Sequence, residues 1–202
     1  MKTFYNFFCL IVINITFAQL PTLSTTSLAN SAEDLDKANN GNYAIDTANE
    51  RQQYVGTWEY SNSNTLFQIK IEKVDKYFYG IYYNGRLQGN YFFMDAVIIK
   101  YKIVVDGVVL FDNLNETNLS LVRGEGTKLG SDPYLHGSII DEITKVGVRY
   151  EIYKTSATSP EKIIFKGQRG TMYALRPRTN ITAPDGSPTF IPLNEIEMIK
   201  ID

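Results

Sequence analysis

The residues best suited to acid–base chemistry lie around His136, the only histidine among the 202 residues. His136 follows Asp132-Pro133 near the start of a predicted strand, and Ser138 shares its strand face two positions later. A Ser-His-Asp arrangement would have to use His136, yet no nucleophile elbow or oxyanion loop accompanies it. A zinc site would need further histidine or cysteine ligands. We therefore predict no catalytic residue, no metal site and no cofactor.

One glycine-rich stretch and one set of carboxylates also contain residue types that are used in catalysis. The glycine-rich run Gly124–Gly130 lacks the Gly-Lys-Ser/Thr ending and the following helix of a phosphate loop, so we interpret it as a flexible loop. Paired carboxylates across a cleft would suit glycoside hydrolysis, and a glycan-acting hydrolase therefore stays open as a second alternative. The carboxylates concerned, which we expect as solvated turn residues, are Asp141, Glu142, Glu195 and Glu197.

The first eighteen residues have the pattern of an export signal. Lys2 supplies the positive start, Phe7–Phe17 is largely apolar, and Ala18 precedes the expected cut. The apolar stretch is too short to span a bilayer, so we expect no stable membrane span. Removing residues 1–18 removes the single cysteine, Cys9. The sequence thus predicts an exported protein, periplasmic or extracellular, that is stabilised without disulfides.

Composition and charge argue against nucleic-acid binding and indicate how the chain is divided into a linker and a domain. A formal net charge of −2 gives no basic field for nucleic acid. Residues 19–50 are rich in Ser, Thr, Asn and Ala and are interpreted as a flexible linker. Within them, Asp46 is expected to cap a short helix that extends to Gln53. Residues 51–202 form the predicted single folded domain.

Hydrophobic residues in this domain recur with a period of two. Phe67, Ile69 and Ile71 alternate with polar residues, and a longer alternation runs from Val97 to Val105. Asn84-Gly85 and Asp106-Gly107 are two-residue hairpin signals. Leu119–Val122 is expected as a short strand and Arg123–Pro133 as a loop. The pattern predicts an all-β, antiparallel barrel or sandwich.

The stretch Gly56-Thr57-Trp58 at the head of the first strand of this domain resembles the calycin superfamily, which includes the lipocalins. The resemblance implies an up-and-down β-barrel of about eight to ten strands, with a disordered or partly helical N-terminal arm. From about Tyr54 to Asp202, the chain is similar to lipocalin-like proteins of unknown function that bacteria export. In lipocalins an arginine near the last barrel strand packs over this tryptophan, which leaves Arg169 and Arg176 as candidates.

A barrel interior is either packed shut or lines a small cavity. Our first functional hypothesis is therefore that the interior binds a small apolar or amphipathic molecule, with tyrosine hydroxyls orienting it. The alternative is a protein–protein interaction module, such as a calycin-type protease inhibitor or a surface adaptor, whose protein partner the sequence does not identify. The candidate interior residues are Trp58, Tyr60, Phe67, Ile69, Tyr79, Tyr101 and Tyr150.

Overall fold

A computed structural model describes residues 20–29, 40–83, 86–122, 124–128, 132–170 and 188–202. The predicted signal peptide, residues 1–18, and Arg176 lie outside the described residues. The strands are β1 (Ser24–Ser27), β2 (Asn42–Ile45), β3 (Gly56–Ser61), β4 (Thr65–Tyr83), β5 (Arg86–Val105), β6 (Val108–Asp112), β7 (Gly124–Lys128), β8 (Leu135–Ile140), β9 (Gly147–Ser156), β10 (Lys162–Arg169) and β11 (Glu195–Lys200). The prediction of an all-β domain is confirmed.

Eight of these strands form a closed ring in the order β5-β4-β3-β11-β10-β9-β8-β7, and β7 pairs again with β5. Every pair in the ring is antiparallel. Most neighbouring strands of the ring are also consecutive in sequence. The hairpin predicted at Asp106-Gly107 is present between β5 and β6, and both turn residues have positive φ. β6 is not one of these eight strands and pairs with residues 102–105 of β5, beside the residues 97–99 that pair with β7.

β4 and β5 continue beyond the ring as a two-stranded extension. A β-bulge between Val74 and Tyr77 marks the boundary, where Lys76 has a φ of 52°. β2 adds to the extension by parallel pairing with β5, and β1 pairs with β2 in the same direction. The N-terminal arm, expected to be disordered or partly helical, thus forms strands at these residues. These strands could not be recognised from the sequence, because each has only four residues and the surrounding sequence is largely polar.

An ionic cluster fixes this arm to the bulge. The guanidinium of Arg51 lies 2.9 Å from Asp46 and 3.2 Å from Asp95, and all three side chains are almost fully buried. Arg51 also donates to the carbonyl oxygen of Ala96 at 2.8 Å. Asp95 accepts hydrogen bonds from the hydroxyl of Tyr43 and the amide of Asp46. The buried charges are therefore paired and hydrogen-bonded, as their burial requires.

Three local predictions need correction. The loop expected at Arg123–Pro133 contains β7, and the strand expected at Leu119–Val122 is a 3-10 helix over Leu119–Leu121. The predicted helix over Asp46–Gln53 is a 3-10 helix over Glu50–Tyr54. The N-cap residue is Asn49 and not Asp46, although the amides of Glu50 and Arg51 donate to the Asp46 carboxylate.

Candidate functional site

Among the described residues, buried side chains pack against one another across the interior of the ring. Phe67 on β4 and Phe165 on β10 belong to strands that are three positions apart in the ring of strands. The centroids of their aromatic side chains are nevertheless only 5.6 Å apart. Phe165 also stacks on Tyr150 at 5.7 Å, and Phe67 contacts Tyr101 at 6.4 Å. Aromatic contacts therefore cross the interior from one wall to the other. Aliphatic side chains such as Ile69, which is fully buried, complete this core.

Tyr150 extends across two neighbouring strands inside the ring. Its hydroxyl donates to the carbonyl oxygen of Glu125 at 2.9 Å. Gly137 and Gly126 face each other beneath the phenol, and a Cβ atom on either would lie under 3.0 Å from the Tyr150 hydroxyl. Burial, with smaller contributions from the charges of Glu125 and Tyr79, raises the pKa of Tyr150 well above its usual value.

Tyr101 also directs its hydroxyl to the protein itself. The hydroxyl donates to the carbonyl oxygen of Ile140 at 2.9 Å and accepts from the amide of Glu142 at 2.8 Å. The hydroxyls of Tyr101 and Tyr150, which were expected to orient a ligand, are thus already hydrogen-bonded to the backbone.

The first 3-10 helix closes one end of the ring. Tyr54 is 1% exposed, and its hydroxyl donates to the carbonyl oxygen of Pro133 at 3.1 Å. The indole Nε1 of Trp58, which is fully buried, donates to the carbonyl oxygen of Tyr54 at 2.8 Å. Lys128 on β7 pairs with Glu50 of the same helix at 3.0 Å. Burial, followed by the charges of Glu50 and Asp132, raises the pKa of Tyr54 to about 12.

Within the described part of the chain, a lysine lies over Trp58. The Nζ of Lys200 on β11 lies 5.7 Å from the indole centroid. Gly56 has a φ of 136°, and a Cβ there would collide with the side chains of Lys200 and Asp202. Arg169 is exposed at the opposite end of β10, where it pairs with Val148 of β9. The Gly-x-Trp stretch therefore belongs to the seam between β3 and β11.

The other end of the ring is occupied by the chain before β11. Ile191 is 1% exposed and belongs to the core, and a Cβ on Gly167 would collide with the backbone of Pro192. The fully buried carboxylate of Asp141 holds this segment by accepting from the amide of Phe190 at 2.7 Å and the hydroxyl of Thr189 at 2.9 Å. Described chain segments thus pack at both ends of the ring.

Two predicted interior residues lie elsewhere. Tyr60 is partly buried and packs against the edge of the core. Tyr79 lies outside the ring in a second apolar cluster with Tyr77, Met94 and Ile98. The bulge before Tyr77 adds one residue to β4, and one extra residue moves all later side chains to the opposite face.

His136 lines an outward-facing depression of about 250 Å³ on β8, β9 and β10. Its Nε2 lies 2.7 Å from the carboxylate of Asp132. Lys166 lies 3.6 Å from Glu151 and 3.8 Å from Glu195, so positive and negative groups alternate on this face. The remaining charged and polar lining residues are Arg149 and Gln168.

The four carboxylates considered for hydrolysis are already engaged within the protein. Asp141 accepts backbone and hydroxyl hydrogen bonds, and Glu142 pairs with Lys145. Glu197 pairs with Lys162 at 2.6 Å. Within the described residues, no group of three or more His, Cys, Asp or Glu side chains could hold a metal ion.

The strand that follows β5 exposes an apolar stretch to solvent. On β6, Val108 is 60% exposed and Val109 54% exposed. The register shift opposite Ile103 and Val104 leaves Leu110 as an extra residue, which explains three consecutive exposed apolar side chains. The sequence pattern indicated only that Val108 belongs to a hairpin strand. The feature that could have indicated the exposed surface is the run Val108-Val109-Leu110, in which apolar and polar residues do not alternate.

A family model described as a family of unknown function (DUF6705) matches residues 1–128. The match ends with the last residue of β7 and leaves β8–β11 outside it. No curated protein and no solved structure matches the chain. Across the described part of the chain, the structure contains no helix that is long and apolar enough to cross a membrane.

Proposed function

This chain belongs to the family of unknown function (DUF6705), and we propose that it is an exported recognition module that binds another protein through the outside of its β-ring. The ring then serves as a rigid, lipocalin-like barrel that presents a binding surface. Of the two binding hypotheses that the sequence left open, this is the interaction module.

The observation that carries the proposal is the contrast between the interior and β6. Phe67 and Phe165 meet across the ring, and Tyr54 and Ile191 close its two ends, so a carried molecule would have to displace core side chains. Val108 and Val109 are instead more than half exposed. Exposed contiguous apolar surface on a soluble protein is typical of a protein–protein contact.

The test compares complexes retained by two variants in the native host. Val109→Lys places a charge on β6, and Ile201→Lys places the same charge at a 50% exposed apolar residue near β11. Native mass spectrometry should show a protein complex with the wild type and with Ile201→Lys, and lose it with Val109→Lys. Equal circular dichroism spectra would establish that both variants fold.

Two results would refute the proposal. One is a complex that survives Val109→Lys unchanged. The other is a small apolar molecule that stays bound in stoichiometric amount to the wild type and to both variants, because that would place binding inside the ring.

A further inference from the structure

We infer that the segment bound by β6 is a short extended stretch, apolar in its middle and flanked by Lys or Arg, that adds to β6 as a further antiparallel strand. This inference rests on the proposed function and names the chemistry of the partner.

One edge of β6 is open. Among the described strands, β6 pairs with β5 alone. The edge therefore presents backbone donors and acceptors that another strand can pair with. Proteins usually guard such edges with lysine or proline, but Val108–Asp112 contains neither. The bulge at Leu110 makes the edge irregular, which favours a matched segment over indiscriminate pairing.

The residues around β6 carry negative charge. Residues 106–121 contain the acidic residues Asp106, Asp112 and Glu116 and no Lys, Arg or His. Asp112 pairs with Lys102 at 3.1 Å, and within the described residues no ion pair is formed by Asp106 or Glu116. An apolar strand between acidic groups is complementary to an apolar segment between basic ones.

The same charges argue against a second copy of this chain as the occupant. Antiparallel pairing of two β6 strands would bring the acidic groups at Asp106 and Asp112 of each copy close to those of the other. Like charges across a strand pair are destabilising. A basic partner removes this repulsion.

The experiment uses two synthetic peptides of alternating valine and threonine, one with two lysines at each end and one with two glutamates. The lysine peptide should bind the full chain and protect amides of Val108–Asp112 in hydrogen exchange. Its affinity should fall at least tenfold with Val109→Lys and with added salt, and should not change with Ile201→Lys. Asp106→Asn keeps a residue that tolerates the positive φ of the turn and should weaken binding several-fold.

Equal binding of both peptides, or protection outside β6, would overturn the inference. A concentration-dependent dimer in ultracentrifugation that Val109→Lys abolishes would also overturn it, in favour of a second copy. If neither peptide binds but the host complex is still lost in Val109→Lys, strand addition fails while protein recognition by β6 stands. If that complex is also insensitive to Val109→Lys, both proposals fail.

Discussion

The hydroxyl of Tyr150 reaches the carbonyl oxygen of Glu125, 2.9 Å away, by passing over Gly137 and Gly126. A single side chain from β9 thereby spans β8 and reaches β7 inside the ring. The two glycines are needed because side chains there would occupy the space of the phenol.

Gly137→Ala should therefore destabilise the domain. The new Cβ would lie under 3.0 Å from the Tyr150 hydroxyl and from the backbone oxygen of Glu125, and a backbone atom cannot easily move aside. Overpacking of this kind costs about 3 kcal/mol of unfolding free energy, measurable by urea denaturation. The control is Gly89→Asn, at a glycine where an added Cβ meets nothing within 4 Å and where asparagine tolerates the φ of 69°. Equal stability of the two variants would contradict the packing described for Tyr150.

Tyr150 should also make stability fall at alkaline pH. Its pKa is raised in the folded state, mainly by burial, so the folded protein keeps a proton that the unfolded chain releases above about pH 10. The free energy of unfolding should thus be unaffected by this group below that pH and decrease above it. Tyr150→Phe should cost about 1–2 kcal/mol at neutral pH, because the Glu125 carbonyl loses its donor. The variant should show a shallower decrease between pH 10 and 12, and an unchanged slope would contradict the assignment.

Arg51→Met should detach the N-terminal arm. The substitution leaves the buried carboxylates of Asp46 and Asp95 without their cation, which costs about 3–5 kcal/mol. Hydrogen exchange should accelerate in β1 and β2 before it does in the ring. Lys162→Met removes the cation of an exposed pair with Glu197 and should cost less than about 1 kcal/mol. Similar losses in the two variants would argue against a buried network.

The same cluster gives an acid dependence. Burial acts to raise the pKa of Asp46, but hydrogen bonds from Arg51 and from the amide of Glu50 outweigh it and lower that pKa below its usual value. The stabilisation is therefore present above the unfolded pKa and is lost as pH falls through the folded one. Arg51→Met loses the side-chain hydrogen bond and the charge of Arg51 but keeps the two amides that donate to Asp46, so the decline in unfolding free energy below about pH 4 should be smaller than in the wild type.

Asp141→Asn should open one end of the ring. An amide nitrogen would replace an oxygen that now accepts from Ile143 and Thr144 or from Thr189 and Phe190. The loss of hydrogen bonds to a buried charge should cost about 2–3 kcal/mol. Hydrogen exchange should become faster at the amides of Phe190 and Ile191 and change little at Trp58. Unchanged exchange at Phe190 and Ile191 would refute the role of Asp141 in holding this segment.

The sequence was informative where one local pattern decided the outcome. Alternation predicted the strands around Phe67 and Val97, and the positive-φ turn at Asp106-Gly107 predicted the β5–β6 hairpin. These strands and this turn are determined mainly by residues that are close in sequence. The all-β class could be predicted for the same reason.

The remaining errors arose from distant contacts. The glycines of β7 looked like loop residues, because the sequence does not show that Tyr150, far along the chain, fills the space beside Gly126. Tyr79 was assigned to the interior because the single extra residue at the bulge near Lys76 cannot be recognised from alternation. Lys200, which the register of β11 places over Trp58, was not recognised from the sequence, and the candidate Arg176 lies outside the described residues.

The seam between β3 and β11 joins segments from opposite ends of the folded domain, with Lys200 opposite Trp58 and the Asp202 carboxylate accepting from the amide of Thr57 at 2.9 Å. During synthesis, β3 leaves the ribosome long before β11 and must wait with one edge unpaired. A chain released prematurely, before residue 195, would keep open edges on both β3 and β10, which invites aggregation. Quality control of this protein should therefore be most sensitive to the loss of its last strand.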